Sequence, residues 1–358
     1  MARSSFFFSF FAVAAAACAL STPLGAADWP TLAKFASVKS AEPSGAKVPP
    51  ADPAWPKIPL GTLPPVPSPF AFETGARYWY SSGTVNFGFA NGLAGSGDPT
   101  STIDWKQTTG HTGELFGRLD YRPTGLFVKG LIGGGILSGG SMDDRDFFNG
   151  QVKFSDTSSG ISGDGLTYGI IDFGGSYSVP HAGVRLSAFV GYHYWHEKLA
   201  ARGLRCNPDD VGGAFCGAPG EWVQGTNIEV MTYEPTWNAL RVGADAQIRF
   251  LGRWSLSAEL VGIPYAQLHN ADSHLLRGDL GPVPNVIDKS AAGYGAETEM
   301  FVNYALTPKI EVGAGLRYWG LFASSGTVQF GPSFSSSYPL RTFSEQRYGV
   351  LLQVKGTF

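Results

Sequence analysis

From Phe70 to the terminal Phe358, apolar and polar residues alternate with a period of two in one stretch after another. In Ala239–Phe250 one face carries Arg241, Gly243, Asp245, Gln247 and Arg249, and the other Leu240, Val242, Ala244, Ala246, Ile248 and Phe250. Lys309–Trp319 sets Glu311 and Arg317 against Ile310, Val312, Ala314, Leu316 and Tyr318, and near the end Tyr348, Val350, Leu352 and Val354 alternate with Gln353 and Lys355. Successive side chains of a strand point to opposite faces, so this period belongs to a sheet with one apolar and one polar face. A soluble sandwich turns the apolar face inward; an outer-membrane barrel turns it to lipid and fills its lumen with the charged one. Alternation by itself does not choose between them.

Three features favour the membrane barrel. Residues 1–27 read as an export signal, with Arg3, an apolar run from Ser4 to Leu20, and the small residues Gly25-Ala26-Ala27 before cleavage. Short turns at Arg122-Pro123-Thr124-Gly125, Val179-Pro180-His181-Ala182-Gly183, Leu251-Gly252-Arg253 and Thr307-Pro308-Lys309 alternate with links of roughly 15–30 residues, as inner turns and outer loops would. Tyr78-Trp79-Tyr80, Tyr192, Tyr194-Trp195 and Tyr318-Trp319 are candidates for an interfacial girdle. No later apolar run reaches the 18 residues a spanning helix needs, so helical spans are excluded and a barrel is not. The expected fold is all-β: a closed antiparallel transmembrane β-barrel of about 10 strands with short periplasmic turns and long extracellular loops. Those strands are expected at 70–89, 103–121, 125–141, 165–179, 183–201, 232–251, 253–270, 290–306, 309–330 and 341–358.

Composition agrees. Only 15% of residues are charged, while glycine (48 residues) and aromatics (13%) are abundant, which suits strands better than helices. The net charge of −3, without a basic cluster, gives no reason to expect nucleic acid. Residues 28–69 are Pro-rich and extended, a periplasmic linker that could touch peptidoglycan or a periplasmic partner; the barrel takes 70–358. Outer-membrane lipid is the expected surround. After signal cleavage only Cys206 and Cys216 remain, separated by nine residues in a Gly-, Pro- and Asp-containing loop, which reads as a disulfide. No histidine or third cysteine accompanies them at ligand spacing, so no metal is expected there.

Two polar stretches stand out. Asp272-Ser273-His274 places a carboxylate and an imidazole on one strand face, and such a carboxylate orients the ring and raises its basicity. Asp144 and Asp146, in Gly139-Gly140-Ser141-Met142-Asp143-Asp144-Arg145-Asp146-Phe147, share the same spacing, and two close carboxylates push one pKa upward. A water polarised between His274 and Asp144 could then hydrolyse a peptide bond without an acyl-enzyme. Parity runs against this. Trp254, Leu256, Ala258 and Leu260 mark even positions as lipid-facing, as do Val128 and Ile132, and all four candidates are even. A reversal is required, and Pro264 and Gly139-Gly140 are where it could occur. Spacing alone leaves open that Asp143, Asp144, Asp146, Asp272 and His274 are solvated loop-edge residues.

The pattern at residues 139–147 resembles the first catalytic stretch of the omptins, ten-stranded outer-membrane endopeptidases. Ile103-Asp104-Trp105-Lys106, Asp272-Ser273-His274, Ala201-Arg202-Gly203 and the terminal phenylalanine are similar to further omptin motifs, in order along residues 70–358. The resemblance implies Asp272 and His274 as a water-activating dyad, Asp144 and Asp146 as the opposing pair, and Asp156 as an acidic subsite residue. It implies a peptide or protein substrate and no cofactor. Departures bear on specificity: Asn270 stands where a substrate-binding Asp is expected, and Asn86 where a Glu is needed, so selection for Arg or Lys is weakened. The family's lipopolysaccharide-binding Tyr-x-Glu-x-Arg is kept only at Tyr192, in Tyr192-His193-Tyr194-Trp195-His196, which leaves lipopolysaccharide as a candidate activator. The competing reading is a non-catalytic surface barrel. A porin is disfavoured, because Glu114, Arg118, Arg185, Arg241, Asp245, Glu259, Glu297, Glu299, Glu311 and Arg317 would interlock across a narrow lumen.

Overall fold

The computed structural model describes residues 68–358 apart from 94–95, 149–151, 162–164, 181, 207–217 and 219. The expected signal, 1–27, and all but the last two residues of the Pro-rich segment lie outside the described residues. The strands are β1 (Phe70–Phe89), β2 (Ser96–Tyr121), β3 (Leu126–Ser138), β4 (Ser141–Phe148), β5 (Val152–Ile161), β6 (Gly165–Val179), β7 (Val184–Cys206), β8 (Trp222–Phe250), β9 (Trp254–His274), β10 (Val286–Ala305), β11 (Ile310–Ala323), β12 (Thr327–Phe330) and β13 (Ser337–Thr357). Ten of them, β1, β2, β3, β6, β7, β8, β9, β10, β11 and β13, pair antiparallel in that order, and β13 returns to β1. Closure leaves no open edge, which is what lets a sheet cross lipid.

At one end the expected tight turns appear at 122–125, 251–253 and 306–309. Gly125 (φ 73°) and Gly252 (φ 69°) take the left-handed conformation there. At the other end much of the expected loop is strand. β2 begins at Ser96 and β8 at Trp222, well before the expected 103 and 232, and β7 runs on to Cys206. The expected third connection folds as the β4–β5 hairpin, which bridges the start of β2 to the end of β7 and continues the wall beyond β3 and β6, and β12 joins β10 to β13. Val152–Ile161 alternates only over Val152–Ser155 and then runs polar to Gly160, so pairing more than patterning makes it a strand.

Outward-facing Leu115, Ile132, Leu260, Leu316 and Leu352 are exposed and apolar, the surface a bilayer requires. Aromatics border this band: Phe70, Tyr121, Phe250, Trp254 and Phe358 near the tight turns, and Tyr80, Tyr192, Tyr265, Tyr294 and Tyr348 on the far side. The girdle expected from the aromatic pairs is only half right. Alternation splits them, sending Tyr78, Tyr80, Tyr192 and Tyr194 out and burying Trp79, Trp195 and Trp319 in the lumen. There Trp319 meets Trp79 at 4.8 Å and Tyr168 at 4.9 Å between ring centroids.

Below this aromatic plug the charges interlock. Arg317 pairs with Glu114 and Glu299, Arg241 with Asp172, Glu259 and Glu297, and Lys129 with Asp245 and Glu259. They enclose a cavity of about 150 Å³ instead of a wide channel. Removing one partner would strand a buried charge, at a cost of about 3–5 kcal/mol.

If the outer face meets lipid, Leu260→Arg is expected to cost ~2–4 kcal/mol in bilayer-reconstituted protein. Leu276→Arg, on the extracellular side, is expected to stay within about 0.5 kcal/mol. Reversible denaturant unfolding from liposomes measures both, and equal costs would contradict the assignment.

Candidate active site

Two backbone reversals decide which side chains reach the interior beyond the membrane band. On β9 the lower inward residues are odd-numbered, with Ser255, Val261 and Ile263 buried. Pro264 lacks an N–H for the ladder, and the register slips beside it on both neighbours, between Leu240 and Val242 and between Ser290 and Gly295. Pro264 and Tyr265 both face out, and inward parity becomes even, burying Ala266, Leu268, Asn270 and Asp272. Between β3 and β4 the reversal falls at Gly139 (φ 64°) and Gly140 (φ 93°). A Cβ on Gly140 would sit 2.3 Å from the Lys106 carbonyl oxygen. Leu137 is buried before this break and Met142 after it.

With Met142 turned inward, the two-residue period puts Asp144 and Asp146 on the same face. Asp144 pairs with Ile103 and Asp146 with Ser101 on β2. Asp143 and Arg145 take the opposite face, where Lys106 Nζ lies 2.5 Å from Asp143 and Arg145 bridges Asp104 at 2.9 Å and Asp143 at 3.1 Å. That outer network also receives Asn86, whose amide nitrogen donates to Asp104 at 2.8 Å. The expectation for Asn86 is therefore corrected: on β1 the inward positions are Val85 and Phe87, both buried, and residue 86 points away from the dyad.

Across the rim, the His274 Nε2 lies 2.9 Å from Asp272 Oδ2. The Asp272 side chain is 1% exposed and that of His274 20%, so a shielded carboxylate backs a solvent-accessible ring. Tyr233 faces Asp272 from β8 and rests on Trp105, Phe87 and Phe343. Asn285, which sequence reading missed, fixes the end of the strand. Its Oδ1 accepts the His274 backbone N–H at 2.9 Å, its Nδ2 donates to the His274 carbonyl at 3.1 Å, and its own N–H donates to the Asp272 carbonyl at 3.1 Å. Asn270 is wholly buried below the dyad and donates its amide to Asp288 Oδ2 at 2.7 Å. The backbone of Asp156 pairs with Arg145 in β5, and its side chain lies outside the described residues. Cys206 is buried at the end of β7, and Cys216 lies outside the described residues.

His274 lies beyond Tyr265 on β9 and so outside the membrane band. Burial works to lower the imidazole pKa, but the charge and hydrogen bond of Asp272, with the charge of Asp144 added and Arg277 opposing, push it up to about 9. The Asp144 carboxylate thus acts on the same ring as Asp272, though the two acids are far apart in sequence. Because the folded value lies above the unfolded one of about 6.5, the pair stabilises the fold fully below that pH, and the gain is lost as pH rises through about 9.

A closed ring with a lipid-facing apolar band defines an outer-membrane β-barrel, and this one carries an Asp–His pair on its extracellular rim. Among solved structures the chain is similar to the outer membrane protease OmpT from Escherichia coli, at 14% identity over 81% of this chain and 98% of that one, with a TM-score of 0.64. A FadL homologue from Pseudomonas aeruginosa aligns over 81% of this chain and 90% of its own at 10% identity, with a TM-score of only 0.21. No family model and no curated protein matches the chain.

Asp272→Asn is expected to move the His274 titration from about 9 to below about 6.5, because burial then dominates. NMR of histidine-labelled protein in micelles reads it. A titration left near 9 would remove Asp272 as the cause.

Proposed function

We propose that this barrel is an extracellular-rim endopeptidase that hydrolyses peptide bonds with an activated water. The observation that carries the reading is the His274–Asp272 pair, whose imidazole also feels the Asp144 carboxylate. In the proposed reaction a water held between His274 and Asp144 attacks the peptide carbonyl carbon and gives a proton to His274. Asp272 keeps the ring oriented and balances the imidazolium. The tetrahedral intermediate collapses by breaking the C–N bond, and the leaving amine takes up the proton. Asp146, on the same face of β4 as Asp144, adds negative charge on that side of the water.

Asn270 carries no charge, so selection for Arg or Lys at the cut is weaker than an acid there would give. Asp156 is proposed as an acidic subsite residue and lipopolysaccharide as an activator held on the barrel wall. Residues 1–27 are proposed as the export signal, residues 28–69 as a periplasmic spacer able to touch peptidoglycan, and Cys206–Cys216 as a loop disulfide.

Purified barrel in micelles with lipopolysaccharide should cleave members of a fluorogenic peptide library. His274→Ala is expected to lower kcat/KM by ~100-fold or more. Cleavage by the wild type should rise between about pH 7 and 9 as the imidazolium gives up its proton. Equal cleavage by wild type and His274→Ala would count against the proposed site, and no cleavage by the wild type would leave a non-catalytic surface barrel.

A further inference from the structure

Beneath the dyad lies an acid that the proposed reaction does not use. Asp288, on β10, is fully buried and faces inward. It pairs across the ladder with Asn270, while Asp272, two residues on along β9, pairs with Val286. Asp272 and Asp288 are therefore diagonal neighbours on one inner face, at a spacing that side chains can bridge. Asn270 donates its amide to Asp288 Oδ2 at 2.7 Å, and Asp272 Oδ2 takes His274 at 2.9 Å. The other oxygens of both acids, Asp288 Oδ1 and Asp272 Oδ1, are buried without a hydrogen-bond partner among the described residues, so Asp288 bears on Asp272 through packing and charge. Tyr233 closes the cluster from β8.

We propose that Asp288 is a positioning residue for the dyad: with Asn270 and Tyr233 it fixes the Asp272 carboxylate beneath His274 and takes the proton that Asp272 must not hold. This role rests on reading the site as a hydrolase. Two carboxylates buried side by side cannot both ionise cheaply. Asp272 is the acid in contact with the imidazole, at 2.9 Å, so the single negative charge belongs there. Burial, and after it the charge of Asp272, push Asp288 well above the usual carboxylate range, against the opposing pull of Asn270, His274 and Tyr233. A neutral Asp288 costs little to bury and fills the space into which Asp272 could otherwise rotate. The same economy accounts for an amide at residue 270. A third carboxylate would crowd the pair and could not donate to Asp288 when ionised, as Asn270 does.

The groups bearing on His274 are Asp272, Asp144 and Arg277, and those bearing on Asp288 are Asp272, His274, Asn270 and Tyr233. A change confined to Asp288 can therefore be read on His274. In Asp288→Ala, solvent enters and the Asp272 carboxylate turns, so the His274 titration by NMR is expected to fall by about one unit or more. The expected loss in kcat is ~10-fold or more with KM little changed, and the pH–rate profile shifts toward acid. Asp288→Asn, which keeps a neutral group of the same shape, should restore most of both. Should Asp288→Ala fail to fold, Asn270→Ala frees Asp288 from its donor and is expected to shift His274 in the same direction. A His274 titration unmoved by Asp288→Ala or, in its place, by Asn270→Ala overturns the role. A loss in Asp288→Asn as deep as in Asp288→Ala overturns it too, by showing that the carboxyl acts ionised. A wild type that cleaves peptides while His274 ignores Asp288 removes this role alone. A wild type that cleaves nothing, but whose His274 titration responds to Asp288, removes the hydrolase reading alone.

Discussion

The two-residue period of the strand governs this molecule. It assigns every side chain to lipid or lumen, and on β3 and β9, whose lower inward residues are odd-numbered, an unbroken period has no means of bringing the even-numbered acids that follow to the inside. The reversals at Pro264 and at Gly139–Gly140 are therefore the decisive local structures. Each is made by a residue type that breaks the ladder: proline by lacking a donor, the glycines by accepting positive φ. Above them the inward parity changes, and Asp272, His274, Asp144 and Asp146 come to the interior side of the rim.

The barrel below supplies rigidity. Its lumen is crossed by buried ion pairs centred on Arg241, Arg317 and Arg347, the last held by Glu197, Ser81 and Thr108. Such pairs add little net stability over apolar packing, but losing one partner is costly, so they penalise every alternative strand register. Trp79, Trp195 and Trp319 seal the lumen above the Arg241 and Arg317 pairs, Arg347 stands opposite Trp319 on the neighbouring strand, and Tyr233, Trp105, Phe87 and Phe343 form the floor on which the dyad rests. Solvent is kept from Asp272 and not from His274, the arrangement in which a carboxylate charges a ring effectively.

Much of this was legible in the sequence, and the reasons are local. Strands with a lipid-facing side, such as Ala239–Phe250, carry alternation because one face must be apolar. Their tight turns carry Gly and Pro for backbone reasons. The parity conflict itself pointed to Pro264 and the glycine pair. The β4–β5 hairpin continues the wall past β3 and β6, beyond the lipid-facing band, so Val152–Ile161 needs no lipid-facing apolar side and its alternation stops after Phe154. The inward turn of Trp79, Trp195 and Trp319 follows from alternation, yet aromatic clustering alone suggested a girdle. Asn86 went astray for the same reason: its neighbours Val85 and Phe87 were the inward pair. Asn285 and Asp288 act through register with β9, which no single stretch of sequence displays.

The most direct measurement is a short-range cross-link across the rim, in protein whose Cys206 and Cys216 are replaced by serine. With His274→Cys, a second cysteine is placed at Asp144 or, as control, at Asp143, and each pair is treated with a cross-linker of about 5 Å reach, a side-chain contact distance. The expected result is efficient linkage for 144 with 274 and none for 143 with 274. Equal linkage of the two, or linkage of 143 alone, would mean that the parity is not reversed and that the two stretches do not share a site.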